Sequence, residues 1–263
     1  MGETKGTGDE MRLRYWAKIV RMDSDRIVKR IYRESKNRLE KEEAAFQLNN
    51  QATITKTWCT YTKQLMKKLN LEEEWRTEQI PDEGEWNSLI RGRIHEREQV
   101  KWRVKCLTMP KLRTYSKLKT KLKTEPYLEV NHRGGIPELA KLRGGTNRLR
   151  IEQGRYVKET IAERKCLCCK RGAVEDEVHF LLMCPSYTSL RKEMWQKFEA
   201  ITGTTKTSLQ TDEEKMNALI GERFQPEESE KNTKEETKQY RRLVRVVMRF
   251  ISAAMQRRRG LLK

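Results

Sequence analysis

Apolar residues recur along this chain at helical spacing, in runs separated by polar, turn-rich segments. In residues 11–36, Leu13, Trp16, Ile19 and Val20 share one stripe. Asp23, Ser24 or Asp25 is placed to cap a second helix carrying Ile27, Val28, Ile31 and Tyr32, and residues 37–50 are polar and loosely helical. Trp58, Tyr61, Leu65, Met66 and Leu69 mark a face over 57–71. Pro81-Asp82 opens the clearest long helix, with Asp82 as N-cap and Glu85 three residues on to complete a capping box. Trp86, Leu89, Ile90, Ile94, Val100, Val104 and Leu107 follow before Pro110 ends the run.

Pro126, Gly134 and Gly135 make 125–135 a linker or turn, and a short helix over 136–142 is broken by Gly144-Gly145. Leu190, Met194, Trp195 and Phe198 give a face to 185–201. Thr211 and Glu214 frame a second capping box ahead of Met216, Leu219 and Ile220. Residues 224–237 are polar. In the last helix, over 239–260, Leu243, Val246, Val247, Phe250, Ile251 and Ala254 face a core. Arg257, Arg258 and Arg259 sit at the negative end of its macrodipole. No strand series and no internal repeat is visible. The pattern predicts a mainly α, elongated helical protein with a small irregular knuckle.

Composition sharpens this picture. Of the 263 residues 36% are hydrophobic and 36% charged, and the formal net charge is +19. So little apolar material predicts modest cores, and so positive a chain suits a polyanionic partner. From Arg91 to Lys123 basic residues far outnumber acidic ones. No apolar run of about 18 residues is present to span a membrane. The N-terminus lacks an apolar signal region, and Gly6 occupies the position where a myristoylation signal needs Ser or Thr. The expected location is intracellular, nuclear ahead of cytoplasmic.

The candidate chemistry is concentrated in a 19-residue window: Cys166-x2-Cys169, nine intervening residues, then His179-x4-Cys184. Each half can place two soft ligands on one ion, and the Cys3His set is that of a structural Zn2+ site. Such a site closes all four positions, so one Zn2+ would staple the chain and do no chemistry. On a continuous α-helix, residues five apart are splayed by about 140°. Pro185 offers a way round this, because the residue before proline is pushed out of the α region. Cys184 can then turn back towards His179. Cys168 is left as a bystander or a thiol behind the ligands, and Cys59 and Cys106 as small buried hydrophobes. No zinc-protease or zinc-deaminase pattern accompanies the site.

Around this window, several short motifs resemble the C-terminal part of non-LTR retrotransposon reverse transcriptases. They are Leu139-Ala140-Lys141-Leu142-Arg143, Asn147-Arg148-Leu149, Ile151-Glu152, Gly154-Arg155-Tyr156, Cys166-x2-Cys169, Val174-Glu175-Asp176-Glu177-x-His179-Phe180-Leu181 and Cys184-Pro185-x-Tyr187-x2-Leu190-Arg191. The resemblance covers most of the chain and is most specific over 139–191. It implies a helical linker after a polymerase thumb and a Cys-Cys-His-Cys zinc knuckle that grips template RNA or target DNA. The Asp-Asp of the family's polymerase motif is absent from this sequence, and no endonuclease region is visible. The chain is therefore expected to be a non-catalytic tail, from a truncated copy or a fragment.

Three regions follow: a basic helical region over 1–130, a knuckle region over 131–201 and a C-terminal helical tail over 202–263. The expected partner is nucleic acid, RNA or single-stranded or target DNA. Arg143, Arg148, Arg150, Arg155, Arg164, Lys165, Lys170 and Arg171 are candidate phosphate contacts, and Tyr156 or Tyr187 a candidate base-stacking ring. The alternative is a zinc-stapled scaffold. Its helical faces around Trp16, Trp58, Trp86 and Trp195 would dock on a reverse transcriptase body or another protein subunit.

Overall fold

A computed structural model describes residues 8–49, 53–225 and 234–262. These are mainly α-helical. Among them, β pairing is limited to one isolated antiparallel bridge between Lys165 and Val174. No described helix is long and apolar enough to cross a membrane. Most of the N-terminal residues read for targeting signals, and most of the polar segment 224–237, lie outside the described residues.

The chain forms two compact units, residues 1–101 and 102–263. This division differs from boundaries at 130 and 201. Leu118, Tyr127 and Val130 share one apolar core with Phe180, Met216 and Phe250, so the second unit begins earlier and runs past the knuckle to the last helix.

The first unit holds α1 (Gly8–Val20), α2 (Ile27–Asn49), α3 (Trp58–Lys68), α4 (Glu72–Thr77) and the start of α5 (Glu83–Thr108). The stripe expected on α1 is buried: Leu13 and Trp16 are fully enclosed and Ile19 nearly so. Trp16 stacks on Trp75, ring centres 6.1 Å apart, and tilts against Trp86 at 5.6 Å. The Trp16 indole N–H donates to the Tyr32 hydroxyl (3.1 Å), which donates to Glu78 (2.9 Å). Lys29 and Lys36 close the same carboxylate at 3.1 and 2.8 Å. Thr57 and Thr60 form a capping box on α3, and Asp82 accepts the Glu85 N–H at 2.9 Å to cap α5. The segment 37–49, expected to be loosely helical, continues α2 without a break. Ile27 and Ile31 are exposed, because the buried face of α2 runs through Tyr32 and Leu39.

The second unit contains the end of α5, α6 (Arg113–Leu118), α7 (Gly135–Arg143), α8 (Arg150–Tyr156), α9 (Thr188–Thr202), α10 (Asp212–Ile220) and α11 (Lys234–Leu261). Helix α11 is its axis and packs against α7 and α9. Tyr240, Leu243, Val244, Val247, Met248, Ile251, Ala254 and Met255 recur at three- and four-residue intervals on its buried face. Thr211 and Glu214 complete the expected capping box on α10. The segment read as a linker or turn over 125–135 is turn-containing and packed into the core. Pro126–Glu129 is a 3-10 turn that buries Tyr127, and Val130 is fully enclosed. Gly145 ends the α7 region at φ +62°, and a Cβ there would lie 1.9 Å from the Lys111 carbonyl oxygen. Only glycine fits both the left-handed backbone and that close approach.

Candidate metal centre

The knuckle begins with a tight reversal. Cys166 N–H donates to Ala173 C=O (2.8 Å) and Glu175 N–H to Arg164 C=O (2.9 Å). Gly172, at φ +65°, lets the chain turn between them. This places Cys166 and Cys169 on one side of the loop. The other ligands come from a single π-helical turn, His179–Met183, whose closing bond runs from Cys184 N–H to His179 C=O at 2.7 Å. An i→i+5 bond brings residues five apart over one another, where an α-helix would splay them. Cys184 then leaves the turn with extended backbone (φ −59°, ψ 123°), as the following Pro185 requires.

The ligand atoms of Cys166, Cys169, His179 and Cys184 all lie within 4.8 Å of one another. Cys166 Sγ and Cys184 Sγ are 3.9 Å apart, and Cys169 Sγ and His179 Nε2 are 3.5 Å apart. Around one tetrahedral ion with metal–sulfur bonds near 2.3 Å and metal–nitrogen bonds near 2.0–2.1 Å, those separations are about 3.8 and about 3.5 Å. All six cysteines are free thiols, so no disulfide competes for these sulfurs. A Cys3His group that can hold a metal ion is therefore assembled.

The electrostatics agree with the donor chemistry. Burial lowers the His179 pKa, so its ring is the neutral species that ligates. Burial pushes the Cys166 and Cys184 thiols up in the absence of a cation. Thiolates crowded in this space need a central positive charge to stay ionised, and a bound metal cation would supply it. A second trio, Cys166, Cys168 and Glu175, also lies close together. Glu175 is already engaged there: its carboxylate holds the Arg258 guanidinium at 2.7 Å twice and the Arg150 N–H at 2.8 Å. Its remaining approach to the ligands is a Cys166 Sγ contact at 3.9 Å.

Two arginines support the site in ways that spacing alone does not reveal. Buried Arg191 donates to the carbonyls of Leu181 (2.7 Å), Cys184 (3.0 Å) and Phe180 (3.3 Å), which satisfies the polar groups that the π turn leaves open. Arg258, read from the sequence as a macrodipole complement, reaches the knuckle through Glu175 across 83 positions. Asp176, among the acids at the start of this segment, accepts the His179 N–H at 2.7 Å.

The candidate nucleic-acid contacts separate into two groups. Arg148, Arg155, Tyr156, Lys165, Lys170 and Arg171 are exposed, Tyr156 at 88%. Arg155 pairs with Glu152. The others are committed inside the fold. Arg143 is 1% exposed, bonded to Ile220 C=O (2.7 Å) and Glu125 (2.9 Å), and it lies over the Tyr127 ring. Arg150 is ion-paired with Glu159, and Arg164 donates to the carbonyls of Ile151 and Glu159. Tyr187 is fully buried, edge-on to Phe180, and has no face for a base.

No protein-family model, curated protein or solved structure matches this chain.

Proposed function

We propose that this chain is a non-catalytic nucleic-acid-binding module whose knuckle is held by one structural Zn2+, of the kind that follows the polymerase in non-LTR retrotransposon reverse transcriptases. The observation that carries the reading is the convergence of Cys166, Cys169, His179 and Cys184 at tetrahedral ligand spacing, with the exposed cations Lys165, Lys170 and Arg171 flanking the first two ligands in the chain. Three thiolates and an imidazole suit zinc by softness and geometry. Four protein ligands leave it no open position for a substrate water.

In this reading the metal fixes the 164–175 reversal, and the reversal fixes where its cations point. Lys165, Lys170 and Arg171 contact phosphates. Exposed Tyr156 offers a ring for an unpaired base, which favours single-stranded or irregular RNA over B-form DNA. Such a partner fits a nuclear location.

The test is made on the full chain, stripped of metal and then titrated with Zn2+. Uptake of one equivalent, together with binding to single-stranded RNA that weakens linearly in log affinity against log salt, supports the proposal. Zinc uptake without RNA binding overturns the nucleic-acid half of it.

A protein-interaction scaffold is the second reading. The tryptophan faces first considered for it are spent in the chain's own cores, since Trp16 and Trp86 are fully buried and Trp195 is 7% exposed. What favours it instead is Ile27 and Ile31, one turn apart on α2 and 71% and 61% exposed. Concentration-dependent self-association that an Ile27→Ser, Ile31→Ser variant abolishes would support this second reading.

A further inference from the structure

The C-terminal part of α11 is an unusually one-signed helix. From Thr237 to the last residue the sequence holds nine basic residues, Lys238, Arg241, Arg242, Arg245, Arg249, Arg257, Arg258, Arg259 and Lys263, and no acidic one. A helix face that is merely solvated commonly pairs its cations with acids three or four positions away. Here that pairing is unavailable beyond Glu235 and Glu236. Arg258 is consumed by Glu175, Arg241 lies 3.8 Å from Glu129, and Lys238 lies 3.5 Å from Glu235. Arg242, Arg245 and Arg249 have no acidic partner among the described residues.

These three arginines occupy one stripe, at i, i+3 and i+7, beside the buried face of α11. They form one wall of an open groove of about 380 Å³, and Lys197, Ala200 and Ile201 of α9 form the other. The floor carries Val246, half-buried. Glu193 of α9 lines the continuation of the groove and is ion-paired with Lys197. Lys238, Arg241, Arg242 and Arg245 extend the basic lining towards the start of α11. The basic track from Lys234 to Arg249 is about 22 Å long at 1.5 Å per residue. That length is enough to contact several successive phosphates of one strand.

We infer that the α9–α11 groove is a second phosphate-binding track, in which Arg242, Arg245 and Arg249 hold the backbone of a polynucleotide strand. Guanidinium forks bind phosphate oxygens in pairs, and an open groove with an apolar floor takes a continuous chain where an enclosed pocket would select a small anion. The inference extends the nucleic-acid reading to a surface distinct from the knuckle and rests on that reading only for the class of ligand.

The test uses the zinc-loaded full chain and a short single-stranded RNA of mixed sequence, with binding followed by anisotropy across a salt series. Three variants each remove three positive charges: R242Q/R245Q/R249Q in the groove, K165Q/K170Q/R171Q at the knuckle, and K18Q/K67Q/K68Q on exposed lysines of the first unit. Circular dichroism and zinc content establish that each is folded. The groove variant is expected to flatten the salt slope by about 2, with about a tenfold loss of affinity, while K18Q/K67Q/K68Q stays near the parent chain. R242K/R245K/R249K is expected to keep most of the slope. A groove variant with the parent's slope and affinity overturns the inference, as does an equal loss in the first-unit control. Loss at the knuckle alone would leave the proposed function standing without the groove. Loss at the groove alone would support the groove and overturn the knuckle contacts. A parent chain that binds no RNA overturns both. Repeating the series with DNA of the same sequence reports whether the track distinguishes the sugar.

Discussion

Arg258 near the end of α11 and Glu175 in the knuckle form a two-pronged ion pair, Nε and Nη2 each 2.7 Å from a carboxylate oxygen. Both side chains are nearly inaccessible, at 5% and 1%. The same carboxylate receives the Arg150 N–H and touches Cys166 Sγ. One acid therefore ties the last helix, the start of α8 and a metal ligand together. Breaking a buried pair from one side leaves an uncompensated charge, so Arg258→Met is expected to destabilise the chain by about 3–5 kcal/mol in chemical denaturation. Metal affinity should fall by roughly 10–100-fold, as it does when a ligand's hydrogen-bonding partners are disturbed. A variant with parental stability and zinc affinity would show that the pair does not couple the two elements.

The ligand assignment separates adjacent cysteines. Cys184→Ser should abolish stoichiometric zinc uptake. Cys168→Ser should retain it, because Cys168 lies outside the Cys3His group and its companions for a metal among the described residues are Cys166 and the committed Glu175. Zinc content after dialysis distinguishes them. If C168S loses the metal and C169S keeps it, the ligand set is wrong.

Gly145 offers a test of the backbone. The φ of +62° and the 1.9 Å approach of the Lys111 carbonyl make Gly145→Ala costly, at least about 2 kcal/mol. Gly144→Ala should be milder, since its Cβ would meet only the Ala140 carbonyl oxygen at 3.1 Å and its φ is negative. Comparing the two denaturation midpoints decides between a steric requirement at one position and a general need for glycine in the turn.

The pH response of the first unit should be acidic in origin. Burial tends to raise the Glu78 pKa, but donors from Lys36, Lys29 and Tyr32 outweigh it and hold the carboxyl below its usual 4.5. A depressed folded pKa contributes stability that is complete above the unfolded value and is lost as pH falls through the folded one. Glu78→Gln is therefore expected to cost about 1–3 kcal/mol at neutral pH and to lose less on acidification below about pH 4.5 than the parent chain. Parallel pH profiles for the two proteins would rule out Glu78 as the responsible group.

The parts legible in the sequence are those written locally. The α1 stripe, the Thr211–Glu214 capping box and the Cys and His spacing each lie within a few turns of chain, and the structure forms them. What was hidden depends on distant partners. Arg143 reads as a surface cation until Glu125, 18 positions away, and Ile220 C=O, 77 positions away, enclose it. Tyr127 and Val130 read as linker residues because proline and glycine flank them, yet they pack into the core of the second unit. The π turn was hidden for another reason: five residues give no periodic signal, and the bond from Cys184 to His179 forms beside a buried Arg191 that lies beyond them.

The most direct measurement is a zinc titration of the metal-free chain, with circular dichroism, thiol accessibility and single-stranded RNA binding followed in the same samples. The account predicts that helical signal, protection of three cysteines and RNA affinity rise together and level off at one equivalent of zinc. RNA affinity that is the same with and without metal, or thiols that stay reactive at saturating zinc, would contradict it.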